Sequence, residues 1–151
     1  MPRKHTYTLS GTWTDNPEGV GHIHLAHVDM EVGLSPRKTL ASVSTSPEEL
    51  LLGAAASCYL ITLAKLLHNR GIPYTKLELT SEGLLENDGG LRLDCIHHRP
   101  TIHFQQPVAE DAILALANHA EHACMVSSAL RGNVIVTVEA KVRVHGIGSQ
   151  I

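Results

Sequence analysis

Three thiols and one glutamate are the residues of this 151-residue chain whose types and spacing could do chemistry. Cys58 sits inside the apolar run LLLGAAASCYLITLA, ten residues after Glu48; Cys124 follows 66 residues later, and Cys95 lies between them in LRLDCIHH. An odd number of cysteines is a poor fit to a secreted disulfide framework. In a reducing compartment a thiol is core filler, a metal ligand or a reactive nucleophile. A thiol in an apolar helix normally has a raised pKa and is inert, so the plain reading of Cys58 is a small core residue. The functional reading needs a cation or hydrogen-bond donors nearby, because the thiolate is the nucleophile. Spacing alone does not bring Cys58 and Cys124 together, and Cys95 reads as strand filler.

Eleven histidines raise the question of a metal. His119 and His122 are three apart on an expected helix, hence on one face, with Cys124 two residues on. Zinc takes such ligands in a tetrahedral set. Neither this group nor His22, His24 and His27, nor the adjacent His97 and His98, has a recognised spacing with four ligands. The histidines read as solvated side chains, and no metal or other cofactor is expected.

Hydrophobic residues make up 43% and charged residues 18%, the balance of a globular protein, and the length fits a single domain spanning residues 1–151. The formal net charge of −3, without any basic cluster, gives no footprint for nucleic acid. The start, MPRKHTYTLS, passes from cations directly to polar residues, unlike a secretory signal. The apolar run around Cys58 reads as shorter than the roughly 20 residues of a membrane span. A cytoplasmic protein without membrane contact is the expectation.

The elements that must position these residues read as α+β. Alternation predicts strands over 5–14 and 22–32, the second with a phase slip at Ala26-His27 that suits a bulge. Asp15 to Gly19 is a turn, and 33–45 a polar loop. Ser46-Pro47-Glu48-Glu49 has the residues of a helix start: a cap, a first-turn proline and acids for the dipole, with Ser46 and Glu49 spaced as a capping box. The helix runs to Asn69, is stopped by Gly71 and Pro73, and is apolar on nearly every face, as a helix buried in the middle of a protein would be. Glu48 has a plain role there as a dipole partner. Strands are expected over 74–87 and 91–106 around Asp88-Gly89-Gly90, helices over 108–124 and 127–130, and a last alternating strand over 133–144.

SPEELLLGAAASCYLITLAKLL resembles the helix of the OsmC/Ohr family (osmotically induced and organic hydroperoxide resistance proteins), in which Pro-Glu is followed by an apolar, Ala-rich run to a cysteine ten residues after the glutamate. CMVSSALRGN is similar to the family's second-cysteine motif, with Ser127, Ala129, Arg131, Gly132 and Asn133 where that motif has Ser, Ala, Arg, Gly and Asn. In element order the resemblance covers about residues 10 to 145.

The resemblance implies an OsmC-like fold: antiparallel sheets around a long buried central helix, in an intertwined homodimer with sites at the subunit boundary. It implies that Cys58 is the peroxidatic thiol, that Cys124 resolves it, and that Glu48 belongs to the catalytic set. Organic hydroperoxide would be the substrate, favoured by apolar walls from Leu51, Leu52 and Leu60. The thiolate would cleave the O–O bond to give a sulfenic acid, Cys124 would condense with it to a disulfide, and an external dithiol, of lipoyl type by resemblance, would reduce that disulfide. The Ohr branch pairs the glutamate with an arginine from the N-terminal strand region. Here Asp15 to Gly21 contains none, which resembles a divergent OsmC-like subfamily and leaves Arg37, Arg70 or Arg131 as substitutes. The same gap favours the alternative, a non-catalytic dimer binding a small apolar ligand at the subunit boundary.

Overall fold

The computed structural model describes residues 2–14, 20–33 and 44–146. The expected turn at 15–19, most of the loop at 33–45, and Arg37 lie outside them. The chain divides into two compact units, Met1–Leu51 and Leu52–Ile151.

The first unit holds an antiparallel sheet of β1 (Ser10–Trp13), β2 (Gly21–His24) and β3 (Asp29–Val32). Instead of one strand over 22–32, the chain reverses at the expected slip. Leu25 N–H donates to Val28 C=O at 2.8 Å, and His24 Nδ1 meets Asp29 Oδ1 at 2.8 Å across the new hairpin. Ala26 and His27 are thus the tip of a turn rather than a bulge. Gly21 is required where it stands, since a Cβ there would sit 2.7 Å from the Trp13 ring and 2.9 Å from Val32.

Helix α1 spans Pro47–Asn69 and starts as its sequence dictates. Ser46 Oγ accepts from Glu49 N–H at 3.3 Å, and the Glu49 carboxylate returns to the Ser46 hydroxyl at 3.3 Å. Ser46→Ala should therefore cost about 1 kcal/mol, read as a lower denaturation midpoint at unchanged m-value. Gly71, at φ 65°, caps the other end in the left-handed region that a β-carbon disfavours.

In the second unit β4 (Lys76–Asn87) and β5 (Leu91–Phe104) form a long antiparallel hairpin around Gly89 and Gly90, both at positive φ. Helices α2 (Glu110–Ala123) and α3 (Met125–Leu130) follow, then β6 (Ile135–Val138) and β7 (Lys141–Val144). The two last strands replace the single strand expected over 133–144. They pair with β5 in one continuous register, broken at Glu139 and Ala140, where Glu139 N–H still reaches His98 C=O. Their pairing with β5 is parallel, so this sheet is mixed rather than antiparallel. The cause is the connection: two helices lie between β5 and β6, and such a crossover returns the chain in the same direction.

The core forms where α1, α2 and β5 meet. Tyr59, Leu63 and Leu67 from α1 pack with Ile102 and Phe104 from β5 and with Ile113, Leu116, Ala117 and Ala120 from α2. A second cluster joins Ala55, Ile96 and Val134, with Val126 and Leu130 of α3 packed against it. The buried positions of α1 (55, 59, 63 and 67) follow one i, i+4 stripe. The expectation of a helix buried all round is therefore corrected for the single chain: Ala54 and Ser57 are exposed, and Ile61 keeps 58% of its surface. At 23 residues α1 is also longer than the apolar run suggested, and by length and composition alone it could cross a membrane; the core helix of a soluble protein passes the same test.

Candidate active site: a thiol pair at a helix break

Cys58 and Cys124 meet. Cys58 lies one residue from the buried stripe of α1 and is half-buried, whereas Cys124 is fully buried. Neighbouring Tyr59 fixes this part of the helix, because its hydroxyl donates to Ala117 C=O of α2 at 2.9 Å and its ring stacks on His98, centroids 4.8 Å apart. Cys124 is a single extended residue (φ −71°, ψ 124°) between α2 and α3. Its N–H donates back to Glu121 C=O, and its own C=O accepts from Ser128 N–H.

This break aims donors at the Cys58 sulfur. Burial would raise the Cys58 pKa, but the N–H groups of Val126 and Met125, the Cys124 thiol and the Thr62 hydroxyl outweigh it and hold the pKa below the usual thiol value. The side chain of Val126 is anchored in the second core cluster, which locates its N–H. Thr62 is the weakest donor, since its single proton goes to Cys58 C=O at 2.8 Å. Cys124 shifts the other way. Burial pushes its thiol up, as do its hydrogen bond and charge repulsion with Cys58, against help from Ser127 N–H. The Ser127 hydroxyl is close enough to favour a Cys124 thiolate, without the geometry of a made hydrogen bond. Of the two thiols, the more exposed Cys58 is therefore the one that ionises more readily, and the buried Cys124 holds its proton more firmly.

A thiolate that a small molecule can reach, touching a second protonated thiol, can be oxidised and then close a disulfide. Both cysteines are free thiols here.

A family model described as OsmC-like protein matches residues 40–139, and that span contains both cysteines and the helix break. The chain belongs to the OsmC-like family. This OsmC-like protein is 32% identical over 146 residues to the uncharacterised protein YmaD of Bacillus subtilis (strain 168), covering 94% of this chain and 97% of that one. In fold it is similar to an OsmC-like protein from Mycoplasma pneumoniae (TM-score 0.78, 19% identity, 95% of this chain and 100% of that one). It is also similar to the organic hydroperoxide resistance protein OhrB of Bacillus subtilis (TM-score 0.72, 23% identity, 89% and 98%).

The other residues singled out by sequence are placed as follows. Glu48 is the second residue of α1, in the first unit; its Oε2 is buried and has no hydrogen-bond partner among the described residues. Arg70 follows the opposite end of α1, and Arg131 pairs with Glu121 at 3.1 Å. Cys95 is on β5 with its sulfur 3.6 Å from His97 Nε2. His122 Nδ1 faces Asn118 C=O at 3.1 Å, and among the described residues no three His, Cys, Asp or Glu side chains gather as a metal site. A cleft of about 150 Å³ between Pro73–Thr75 and Gln105–Val108 lies beyond the C-terminus of α1 and includes neither cysteine. Sequence reasoning missed Thr62, one turn after Cys58, although its spacing was readable. It also missed Glu121, whose burial only the packing of α2 reveals.

Proposed function

We propose that this protein is a thiol-dependent peroxidase that reduces organic hydroperoxides through Cys58 and Cys124. The observation that carries this reading is the contact between the two thiols, with the pKa of the more exposed one lowered and that of the buried one raised. The Cys58 thiolate attacks the distal oxygen of ROOH. The O–O bond breaks, Cys58 becomes a sulfenic acid, and the alkoxide leaves and is protonated to ROH. Cys124, deprotonating as it attacks, displaces hydroxide from that sulfenic sulfur; the products are a disulfide and water. An external dithiol, of lipoyl type by family resemblance, then returns both cysteines to thiols by exchange. Glu48 enters this reading from the resemblance alone. The partly exposed Leu51, Leu52 and Leu60 suit an organic substrate, and the uncovered side of α1 around Ile61 suits a homodimer, in a cytoplasmic setting.

A buried Glu48 Oε2 without a hydrogen-bond partner among the described residues favours a second reading, a non-catalytic dimer holding a small apolar ligand. That reading leaves the acidified Cys58 without a use.

The test is consumption of tert-butyl hydroperoxide with dihydrolipoamide as reductant. Wild type should turn over, and Cys124→Ser should stop after one oxidation with a sulfenic acid trapped on Cys58 by dimedone. Wild-type protein that consumes no hydroperoxide, with Cys58 unlabelled in Cys124→Ser, would overturn the proposal.

A further inference from the structure

The break at Cys124 is bridged by a second interaction that the thiol chemistry does not use. Glu121, on the last turn of α2, is only 9% exposed, and its Oε1 accepts from the guanidinium of Arg131, just past α3, at 3.1 Å. Its other oxygen lies 3.4 Å from the exposed ring of His122. A carboxylate this buried needs its cation, because an unpaired charge in the interior is strongly disfavoured. Glu121 precedes the break by three residues and Arg131 follows it by seven, so the ion pair closes a loop around Cys124 and α3. On the inner side, Val126 and Leu130 hold α3 to the second core cluster. Apolar contacts of this kind fix a helix to a surface but leave its rotation about the contact weakly set; an ion pair at the end of the helix sets that angle. Six residues of α3 make a short lever between Arg131 and the N–H groups of Met125 and Val126.

We propose that the Glu121–Arg131 pair is a clip that positions the active site: it holds the Met125 and Val126 N–H groups on the Cys58 sulfur and keeps Cys124 in register with it. Neither residue touches the reacting atoms, so both are positioning residues. The inference rests on Cys58 being the reacting thiol. The titratable groups around the clip are Tyr59, whose ionisation is opposed first by burial and then by the charges of Glu121 and Cys124, together with His122, Cys58 and Cys124. Tyr59 stays neutral throughout the working pH range, leaving the clip, the exposed His122 ring beside it and the two thiols as the groups to account for.

A clip and a plain field effect predict different signs, which makes the inference decidable. If Glu121 and Arg131 acted on Cys58 only as charges, Glu121→Met would ease thiolate formation and Arg131→Met would hinder it. If they act as a clip, both variants release α3 and both hinder it. The experiment follows the rate of Cys58 alkylation by iodoacetamide against pH, read by peptide mass spectrometry, in wild type, Glu121→Met, Arg131→Met and Arg131→Lys. The expected result is a midpoint raised by about half a pH unit or more in both methionine variants, which is roughly threefold slower alkylation at pH values below the midpoint, with most of the loss recovered in Arg131→Lys. Opposite shifts, or unchanged midpoints, would overturn the clip. Should Arg131→Met leave the buried Glu121 charge unpaired and fail to fold, Glu121→Met decides alone, since it removes the clip without leaving that charge and the two accounts still give opposite signs. Alkylation needs no hydroperoxide, so failure of the peroxidase reading would show separately, as a wild-type Cys58 that alkylates but does not oxidise.

Discussion

Cys58→Ser should abolish hydroperoxide reduction, lowering turnover at least about a thousandfold, to the uncatalysed background. The effect is this large because the hydroxyl that replaces the thiol cannot ionise at neutral pH, even with the same backbone donors aimed at it. Serine also lacks the soft sulfur that accepts an oxygen atom and later exchanges it for a second sulfur. The substitution is nearly isosteric and the site is half-buried, so the fold should survive. Circular dichroism unchanged from wild type, beside a lost rate, separates chemistry from folding. Cys95→Ser is the matched control and should leave the rate unaltered, because Cys95 lies on β5 beside His97 rather than with the pair.

The second large effect is on stability against pH, and it comes from His98. This residue is fully buried, stacked on Tyr59, with Nδ1 2.7 Å from Ser81 Oγ and Nε2 without a partner among the described residues. The least costly tautomer puts the proton on Nδ1, donating to Ser81, and leaves Nε2 as a bare lone pair in the core. Protonation would add an unmatched N–H and a charge there, and burial accordingly depresses the pKa to about 4. In the unfolded chain the same imidazole titrates near its ordinary value of about 6.5. Between these two values the unfolded state binds the extra proton. The contribution is therefore fully present above about pH 6.5 and is lost as pH falls toward 4, amounting to about 3 kcal/mol across that window. Glu78 is also held down, to about 2, by hydrogen bonds from Lys76 and His103. Its stabilisation is present above the unfolded carboxylate pKa and lost only below it, so the two windows hardly overlap. Urea denaturation at intervals from pH 7 to 4 should show the loss in wild type and a flatter profile in His98→Phe. Parallel profiles for the two proteins would contradict this account of the buried imidazole.

The local starts and stops were legible because each is written in neighbouring residues. Ser46, Pro47 and Glu49 announce the start of α1, Gly71 its end, and Gly89-Gly90 the long hairpin. The OsmC-like fold was legible through the two cysteine blocks, which the family match spans together. Strand direction was not, since alternation at Val134, Val136 and Val138 is the same whichever way the partner runs; the intervening helices decide it. The hairpin tip at Ala26-His27 carries no glycine, proline or asparagine, so a reversal there looked like a slip. Nor could periodicity show that, among the described residues, one stripe of α1 is fully buried while the rest is partly or fully exposed, because Leu, Ala and Ile occur on every face. The meeting of Cys58 with Cys124 spans 66 residues of chain and depends on core contacts by Tyr59 and Val126 that spacing does not encode. Glu121 and Arg131 pair across a break visible only once Cys124 is seen to be extended between two helices.

The proposed function requires that Cys58 and Cys124 form one redox pair. It is tested most directly by mass spectrometry of the fully reduced protein after one equivalent of an organic hydroperoxide. Such a pair should lose two hydrogens and yield a peptide that links Cys58 to Cys124, with Cys95 still alkylatable. Cysteines that all remain reduced under excess hydroperoxide, or a disulfide that joins Cys95 instead, would contradict it.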